Sequence, residues 1–329
     1  MRASVIVITR NRADSIPEAL QALARQNYPD FEVLVVDSSD STEKEKTEAA
    51  VKLGGAKYIF EPRRGQALAR NSAIPKTTGE IVAFTDDDCI PEPDWLAQKV
   101  KNFSDPTVWA CTGRVIQHDA GGASGLFEEV AGQDLGGEKR VFVKSDLAFG
   151  LGFLLANVMK VFAKHMKSRA PVPFGIGHGS SMAFRREAFR TNGAFDERYG
   201  GGSPLGGCED IEILYRTLKS GHSVVYEPAA VVRHKHRFLA EEVFKTRYVY
   251  SYAGAAFMRQ NQNDALMVFM FYGRLLQLVI KSAQYKLMGK KDLAKSFGSD
   301  LRGYLDGWKA YRKFARFSRT HPSNQPVKM

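Results

Sequence analysis

Three consecutive carboxylates, Asp86, Asp87 and Asp88, directly follow the predicted strand segment 81–85. Carboxylates this close repel one another, and the repulsion is costly unless a cation or hydrogen-bond donors offset it. Mg²⁺ and Mn²⁺ are held by one or two carboxylates and complete their coordination with waters and substrate phosphates. The cluster therefore predicts a divalent metal site for a phosphorylated substrate. The alternative is an acidic N-cap for a helix near residues 94–100.

A second acidic pair, Glu209 and Asp210, lies directly before the segment 211–218, in which apolar residues recur on one helical face. This spacing predicts a helix whose N-terminus carries both carboxylates. Acidic residues at this position are commonly caps for the free N–H groups of the first turn. A carboxylate there can also act as a general base that removes a hydroxyl proton. The residues alone leave both alternatives open.

Two histidines, His234 and His236, follow the apolar run 229–232 within a basic stretch. Neutral imidazole is a common metal ligand, so either histidine is a candidate ligand. The alternative, which is commoner for two histidines in a basic stretch, is that both are solvated side chains.

These candidate residues can act together only if strands and helices bring them close. The first 110 residues alternate two hydrophobic patterns. Continuous apolar runs are typical of buried strands, and spacings of three and four residues are typical of helices. Strands are expected at 4–8, 31–36, 58–60 and 81–84, with helices at 16–24, 42–53 and 67–74 between them. This alternation predicts an α/β fold with a mostly parallel twisted sheet and helices on both faces. Ligands of such sheets bind at the carboxyl ends of the strands.

Polar residues stand at those predicted strand ends. Asp37, after the second strand, can accept the N3–H of a uracil or thymine ring in a charge-assisted hydrogen bond. Its alternative role is an Asx-turn to Ser39 or Asp40. After the third strand, the basic residues at 63–64 either add positive potential near a diphosphate or form a simple basic turn.

The 329 residues are 44% hydrophobic and 25% charged, which excludes disordered and fibrous chains. Three cysteines cannot form a disulfide framework, so a reducing, cytoplasmic compartment is expected. No signal peptide, Gly-x-Gly-x-x-Gly fingerprint, phosphate loop or Gly-x-Ser-x-Gly elbow is visible. The apolar stretches 147–159 and 264–280 are shorter than the ~20 residues of a membrane-spanning helix, and Arg274 interrupts the second. The sequence therefore predicts no membrane-spanning segment.

Several motifs occur in a fixed order along residues 3–236. They are Thr9-Arg10-Asn11-Arg12 after the first strand, Asp37-Ser38-Ser39 after the second, and the segments 65–71, 84–88, 179–186, 193–197 and 209–221. In this order they resemble the motifs of family 2 glycosyltransferases with the A-type nucleotide-sugar fold. Segment 84–88, Phe-Thr-Asp-Asp-Asp, is similar to the Asp-x-Asp metal motif of that family. Each motif is weak alone, and the ordered set is the specific signal.

The resemblance implies a metal-dependent, inverting transfer of a sugar from a nucleotide-diphosphate donor to an acceptor hydroxyl. The donor-binding residues that it implies are Thr9, Arg10, Asp37, Arg70, Asp86 and Asp87. Arg70 would bind a phosphate or orient the aspartates. Mg²⁺ or Mn²⁺ would be held by Asp88 and His234, and Asp210 would be the general base, supported by Glu209. The donor is expected to be UDP- or dTDP-linked, and the acceptor a lipid-linked or cell-surface glycan.

This chain departs from the family pattern in two places. Asp37-Ser38-Ser39 stands where the family often has Asp-Asp-Gly-Ser, which removes one acidic neighbour and keeps Asp37. No Gln-x-x-Arg-Trp motif is present, which argues for a non-processive enzyme. The alternatives are a catalytically silent, membrane-docked partner and a nucleotidyltransferase, although the latter would carry a Gly-rich loop after the first strand. No nucleic-acid-binding module is recognised, so no nucleic-acid partner is expected.

Two domains are predicted: a transferase domain over 1–239 and a basic helical extension over 240–329. The transferase domain is divided into a donor half, 1–112, and an acceptor half, 113–239. Candidate helices of the extension cover 240–258, 265–288 and 293–317.

The net charge of +11 is concentrated in residues 281–329, which hold 12 Lys or Arg against three Asp. Large apolar residues recur at helical spacing in this segment, at Phe297, Leu301, Tyr304, Leu305, Trp308, Tyr311, Phe314 and Phe317. This pattern predicts a basic amphipathic helix on an anionic membrane, and a cytoplasmic protein that is peripheral at the inner face of the cell membrane. The alternative is that this stripe packs on the catalytic domain or on a second subunit.

Overall fold

The computed structural model describes residues 1–118, 134–147, 172–235 and 240–314, and within them nine strands form one sheet. The strands are β1 (Ala3–Thr9), β2 (Phe31–Asp37), β3 (Lys57–Phe60), β4 (Ile81–Asp86), β5 (Cys89–Pro91), β6 (Val108–Gln117), β7 (Arg140–Phe142), β8 (Met182–Arg185) and β9 (Ser223–His234). Their order across the sheet is β3-β2-β1-β4-β8-β6-β9-β5, and β7 pairs with β9.

The α-helices of the described residues follow the strands or close the chain. They are α1 (Ile16–Ala24), α2 (Ser41–Leu53), α3 (Gln66–Ala73), α4 (Trp95–Val100), α5 (Arg186–Asn192), α6 (Glu209–Lys219), α7 (Ala240–Gln260), α8 (Ala265–Leu287) and α9 (Lys291–Phe314). The helices predicted at 16–24, 42–53 and 67–74 correspond to α1, α2 and α3.

The half of the sheet formed by β3, β2, β1 and β4 is parallel, as the alternation of patterns predicts. All seven residues of β1 are buried, as expected for a strand covered on both faces. Ile6 and Ile8 belong to one buried apolar cluster, and Val5 and Val7 belong to another, because successive side chains point to opposite faces. Beyond β4 the sheet is mixed, since β8 runs antiparallel to β4 and β6 whereas β9 is parallel to β6. The predicted α/β class is confirmed.

Parallel pairing places the polar strand ends together. Thr9 of β1 pairs with Asp37 of β2, and Ile8 of β1 pairs with Asp86 of β4. The first aspartate of the 86–88 run therefore lies one residue from Thr9 across the sheet. This edge is where the candidate site forms.

The three C-terminal helices pack on one another and on the sheet. A Cβ on Gly303 or Gly307 of α9 would overlap the backbone oxygen of Tyr248 or Tyr252, so α9 lies directly on the backbone of α7. Phe257 of α7 meets Tyr215 of α6 edge-on at 5.4 Å. The C-terminal helices thus share one hydrophobic core with one face of the sheet.

The aromatic stripe of α9 faces this core, not a solvent-exposed surface. Tyr304 is 2% exposed, and the Trp308 ring stacks on Phe271 of α8 at 3.8 Å. Phe297 stacks on Tyr285 at 5.3 Å. The prediction that this stripe lies on a membrane is corrected, because the alternative, packing within the protein, is the arrangement found. Phe317 lies outside the described residues.

Helix α8 corrects a second expectation, since it extends over 23 residues and is not interrupted by Arg274. Among the described helices, α8 is the one that is long and apolar enough to cross a membrane. Core helices of soluble proteins can meet the same criteria of length and composition. Its residues Leu266, Met270 and Leu278 belong to the hydrophobic core. One side of α8 therefore packs against the rest of the protein.

Candidate active site

A cavity of about 580 Å³ opens at the carboxyl edge of the parallel strands. Its walls come from the ends of β1, β2, β4 and β9, from the loops around Gly65 and Gly201, and from one side of α7. Its polar lining includes Thr9, Arg10, Arg12, Arg64, Asp86, Asp87, Asp88, His234, Lys245 and Tyr250. The cavity therefore lies where an α/β sheet is expected to bind a ligand.

The last two carboxylates of the 86–88 run contact the chain that follows β1. The Thr9 hydroxyl donates to Asp87 Oδ2 at 2.6 Å, and Arg12 Nη1 donates to Asp87 Oδ1 at 3.0 Å. The same Arg12 nitrogen lies 2.6 Å from Asp88 Oδ2. Arg12 thus offsets the repulsion between these carboxylates, a role that sequence reasoning missed. The only available signal was its place three residues after β1.

His234 reaches the same carboxylates through strand pairing. The antiparallel register of β5 and β9 sets Cys89 opposite His234, which places His234 Nε2 3.1 Å from Asp88 Oδ1. Both side chains line the cavity, at 17% and 16% exposure. A carboxylate oxygen beside an imidazole nitrogen is a donor set suited to a divalent cation such as Mn²⁺. His236 lies outside the described residues.

Cys89 is the third potential ligand of this group, since its Sγ lies near the donor atoms of Asp88 and His234. It is fully buried, and burial raises the pKa of its thiol well above the usual value. A cysteine sulfur is a soft ligand, whereas Mg²⁺ and Mn²⁺ favour oxygen ligands. The residues that fit a hard divalent cation are the oxygen and nitrogen donors.

The three carboxylates differ in how readily they ionise. Burial raises the pKa of Asp87 to about 6, against the opposing charge of Arg12. Burial also disfavours ionised Asp88, but the hydrogen bond and charge of His234, with the charge of Arg12, lower the pKa of Asp88 to about 2. Burial raises the pKa of Asp86 as well, although Arg70 opposes it. Asp88 is therefore the carboxylate most firmly held as an anion for a cation.

Arg70 joins these carboxylates to the second acidic pair. Its Nη1 donates to Glu209 Oε1 at 2.6 Å, and its Nη2 lies 3.4 Å from Asp86 Oδ1. The Arg70 side chain is 1% exposed and Glu209 is 7% exposed, so the pair is enclosed. These contacts and the burial of the guanidinium fit the orienting role of the two that were predicted for Arg70.

Asp210 lies at the start of α6, as the spacing predicts, and both of its oxygens accept backbone hydrogen bonds. Gly179 N–H donates to Oδ2 at 2.7 Å, and Ile211 N–H donates to Oδ1 at 2.8 Å. Burial and the neighbouring charge of Glu209 raise the pKa of Asp210 well above that of an ordinary aspartate. Such a carboxylate can exchange a proton near neutral pH, as general-base catalysis requires.

The turn that carries Gly179 is supported by two side chains of α4. Trp95 Nε1 donates to Ser181 Oγ, and Lys99 Nζ donates to the Ser181 carbonyl oxygen, each at 3.0 Å. Lys99 is fully enclosed, and burial lowers the pKa of its ammonium group to about 8. Helix α4 is thus fixed to the turn beside Asp210. The carboxylates of 86–88 do not cap it, so that alternative is wrong.

The loops after β1 and β2 are tied together by Arg10. Its Nη2 contacts both oxygens of Asp40, at 2.9 and 3.1 Å, and its Nε donates to the Ser38 carbonyl oxygen. Asp37 is fully buried beneath this network and accepts hydrogen bonds from Ser39 N–H and the Tyr58 hydroxyl, each at 2.8 Å. Arg10 therefore lines the cavity. Asp37 does not line it, and its carboxylate forms the Asx-turn to Ser39 that was its alternative role.

Helix α7 contributes four lining residues that sequence reasoning did not assign to the site: Lys245, Thr246, Val249 and Tyr250. They occur at helical spacing, but nothing in the sequence places α7 beside the strand ends. Of the two adjacent arginines, Arg63 pairs with Glu61 at 2.8 Å, and Arg64 lines the cavity. Among the described residues, neither Arg64 nor Lys245 has a carboxylate within 4.0 Å.

Residues 4–193 match the family model described as glycosyl transferase family 2. The chain belongs to this family. Its fold is similar to that of the mannosyltransferase PcManGT from Pyrobaculum calidifontis, solved in complex with GDP-Man and Mn²⁺. That likeness has a TM-score of 0.59 and 21% identity, and it covers 96% of this chain and 88% of the mannosyltransferase.

Two curated relatives are similar in sequence. The pre-mycofactocin glycosyltransferase of Mycobacterium tuberculosis is 24% identical over 280 residues, which is 85% of this chain and 52% of that protein. The O-antigen chain rhamnosyltransferase RfbN of Salmonella typhimurium is 26% identical over 249 residues, covering 74% of this chain and 70% of RfbN. This chain thus spans about half the length of the mycobacterial relative.

Proposed function

We propose that this family 2 protein transfers one sugar from a nucleotide-diphosphate sugar to an acceptor hydroxyl, with a divalent cation and with inversion at the anomeric carbon. The observation that carries the proposal is the connection of two acidic sites through one buried arginine, with the first site in the cavity wall. Asp88 and His234 form the donor set for the cation, and the buried Arg70 links their neighbour Asp86 to the acidic start of α6. Family membership and the GDP-Man complex of PcManGT support the donor class.

The donor diphosphate is expected at the cavity cations. Arg64 and Lys245 line the cavity with no carboxylate partner among the described residues, so their charge is available to phosphate oxygens. The preference for uracil or thymine rested on Asp37, whose carboxylate is enclosed. We therefore propose the nucleotide-diphosphate sugar class without a preferred base.

Asp88 and His234 would hold the cation, Mg²⁺ or Mn²⁺, and the Mn²⁺ complex of PcManGT supports that class. When bound, the cation neutralises negative charge that grows on the diphosphate as it leaves. Arg12 keeps Asp87 and Asp88 oriented toward the cavity. Thr9 fixes Asp87 from the opposite side.

Asp210 is the proposed base. The acceptor oxygen forms a bond to the anomeric carbon while the bond from that carbon to the diphosphate oxygen breaks, and Asp210 receives the hydroxyl proton. The nucleoside diphosphate departs with the bonding electron pair. The backbone N–H groups of Gly179 and Ile211 hold the carboxylate in one orientation, which supports proton transfer.

The acceptor is proposed to be a glycan or lipid-linked glycan, which the relation to RfbN supports. Absence of the Gln-x-x-Arg-Trp motif supports a single transfer per acceptor. A cytoplasmic, membrane-peripheral location remains part of the proposal. The alternatives, a silent binding partner and a nucleotidyltransferase, are less supported because the carboxylates of the first site line the cavity and Arg70 connects Asp86 to Glu209 of the second.

Thermal denaturation with a panel of nucleotide sugars tests the donor class. A ligand that binds the folded state alone stabilises it by about 2.7 kcal/mol at a hundredfold excess over Kd. We expect the melting temperature to rise with a nucleotide sugar and Mn²⁺ together, and to return to its basal value with EDTA. No rise with any donor in the presence of Mn²⁺ would remove the proposal.

A further inference from the structure

One side of α8 carries a row of exposed apolar side chains. Tyr272, Leu276, Val279, Ile280 and Leu287 are 61, 57, 47, 41 and 89% exposed. Their spacings of three, four and seven residues place them on one face of the helix. At 1.5 Å per residue the row is about 22 Å long. Contiguous exposed apolar patches of this kind mark interaction surfaces.

The opposite side of α8 fixes the helix to the protein. Met267, Phe271 and Leu278 are buried in the core, and the Phe271 ring stacks on Tyr304 at 4.9 Å as well as on Trp308. A helix that crosses a bilayer needs lipid or other apolar partners around its whole circumference. Helix α8 instead offers a single stripe, which suits a surface that it can lie on.

The charged residues at the C-terminal end of α8 and just beyond it are mostly lysines. Lys281, Lys286, Lys290 and Lys291 lie along the C-terminal half of α8 and just beyond it, and the last three are exposed. Within the described ranges, none of the four has a carboxylate within 4.0 Å. The surface at the C-terminal end of the apolar row therefore carries a net positive charge, with the exposed Lys286, Lys290 and Lys291 against the exposed Asp292.

We propose that this face of α8 docks on an anionic lipid bilayer. The apolar row would enter the boundary between headgroups and acyl chains, and the lysines would contact lipid phosphates, each adding roughly 1 kcal/mol near the surface. A second copy of this chain fits less well, because pairing the two faces would bring three exposed lysines of each copy together, with one exposed acid, Asp292, in each to offset them. The docking surface thus differs from the aromatic stripe of α9, which lies in the core. Docking does not depend on the proposed transfer reaction.

Flotation of the full chain with vesicles tests the proposal, with phosphatidylcholine alone compared with phosphatidylcholine containing phosphatidylglycerol. We expect binding only to the anionic vesicles and weaker binding at high salt. The variant Leu276→Glu/Ile280→Glu should lose about tenfold or more of this binding. The control Leu53→Glu/Val141→Glu makes the same change of charge at apolar residues that are 89% and 57% exposed elsewhere, and it should retain binding.

Three results would overturn the proposal. The first is no binding of the unaltered chain to anionic vesicles, or an equal loss in both variants. The second is a dimer in light scattering that the α8 variant converts to a monomer, which would assign the face to a second copy. The third is a fall of several degrees in the melting temperature of the α8 variant alone, which would mean that the chain itself covers the face. Donor hydrolysis without vesicles should be equal in all three proteins, so failure of docking is distinguishable from failure of the transfer proposal.

Discussion

Asp88 and Asp210 lie in opposite electrostatic environments. The pKa of Asp88 is lowered to about 2 because His234 and Arg12 outweigh the penalty of its burial. The pKa of Asp210 is raised, because its burial and the charge of Glu209 outweigh its hydrogen bonds. At neutral pH one carboxylate is a fixed anion and the other can take up and release a proton. Environments that separate the pKa values of two carboxylates in this way commonly distinguish their roles.

Replacing Asp88→Ala removes the anion beside His234. We expect Mn²⁺-dependent donor affinity to fall more than about 100-fold, since even outer partners of metal ligands contribute 10–100-fold. Calorimetric titration with the best donor measures this change. The control Asp292→Ala removes an exposed carboxylate outside the cavity and should bind normally. Unchanged Mn²⁺-dependent binding by the Asp88 variant would exclude this residue from the metal site.

Replacing Asp210→Asn keeps the shape of the side chain and removes the base. Transfer should fall by about 10²–10⁴-fold while donor affinity changes little. The pH profile provides a second readout. A base works when deprotonated, so the unaltered rate should rise with pH through a midpoint above the usual aspartate pKa of 3.8, and the variant should lack this rise. An equal loss of donor affinity would instead give Asp210 a structural role.

The sequence located most of these residues but not all of their contacts. Asp88 and His234 are 146 positions apart, and a motif order could suggest both but not the β5–β9 register that joins them. Arg12 escaped notice because an arginine after a strand resembles any solvated arginine. The position of Asp37 outside the cavity lining was not predictable, because the same carboxylate can bind a ligand or accept a hydrogen bond within its own turn. The competing hydrogen-bond donors, Ser39 N–H and the Tyr58 hydroxyl, become visible only in three dimensions.

At the scale of elements, α4 supports the base through the turn at Gly179. Trp95 of α4 donates a hydrogen bond to Ser181 in this turn, and the Gly179 N–H of the same turn donates to Asp210. Helix α4 has no residue in the cavity lining, so its influence on chemistry is positional.

The variant Trp95→Phe tests this support, because it keeps an aromatic ring and removes the indole N–H. We expect a loss of about 1–3 kcal/mol in the free energy of unfolding, since Ser181 Oγ loses its buried donor. The transfer rate should fall severalfold at unchanged donor KM. Trp109→Phe is the matched control, since Trp109 is also buried and its ring stacks on His222. Equal rates in both variants would contradict a positional role for α4.

Local patterns predicted the parallel half of the sheet, because each of its strands is a buried apolar run separated from the next by a helix. The mixed half was not predictable in the same way. Strand β8 has four residues and lies between β4 and β6, from which it is separated by many residues in sequence. Its position depends on long-range pairing, which hydrophobic periodicity does not encode.

The C-terminal helices connect the cavity with the rest of the hydrophobic core, because α7 both lines the cavity and packs against α9. The aromatic stripe of α9 was predicted to lie on a membrane because helical periodicity is the same for a helix on a bilayer and for a helix on a protein core. Gly303 and Gly307, four residues apart, were the available signal for close helix packing. A Cβ at either position would overlap a backbone oxygen of α7.

Gly303→Ala combined with Gly307→Ala should force α9 away from α7. We expect a loss of about 1–3 kcal/mol per site in the free energy of unfolding, measured by denaturant titration. Donor affinity should also fall, because Tyr250 of the cavity wall lies between the two contact residues, Tyr248 and Tyr252. Gly298→Ala is the control on the same helix, since a Cβ there meets nothing within 4 Å. Stability equal to that of the control would show that α9 does not pack as described.

The release of nucleoside diphosphate from a panel of nucleotide sugars tests the central claim most directly. It is measured with Mn²⁺ and with EDTA, on the unaltered chain, Asp88→Ala and Asp210→Asn. The account predicts release from at least one donor that requires Mn²⁺, is lost in Asp88→Ala and is strongly slowed in Asp210→Asn. Release that persists in EDTA, or that both variants retain in full, would contradict it.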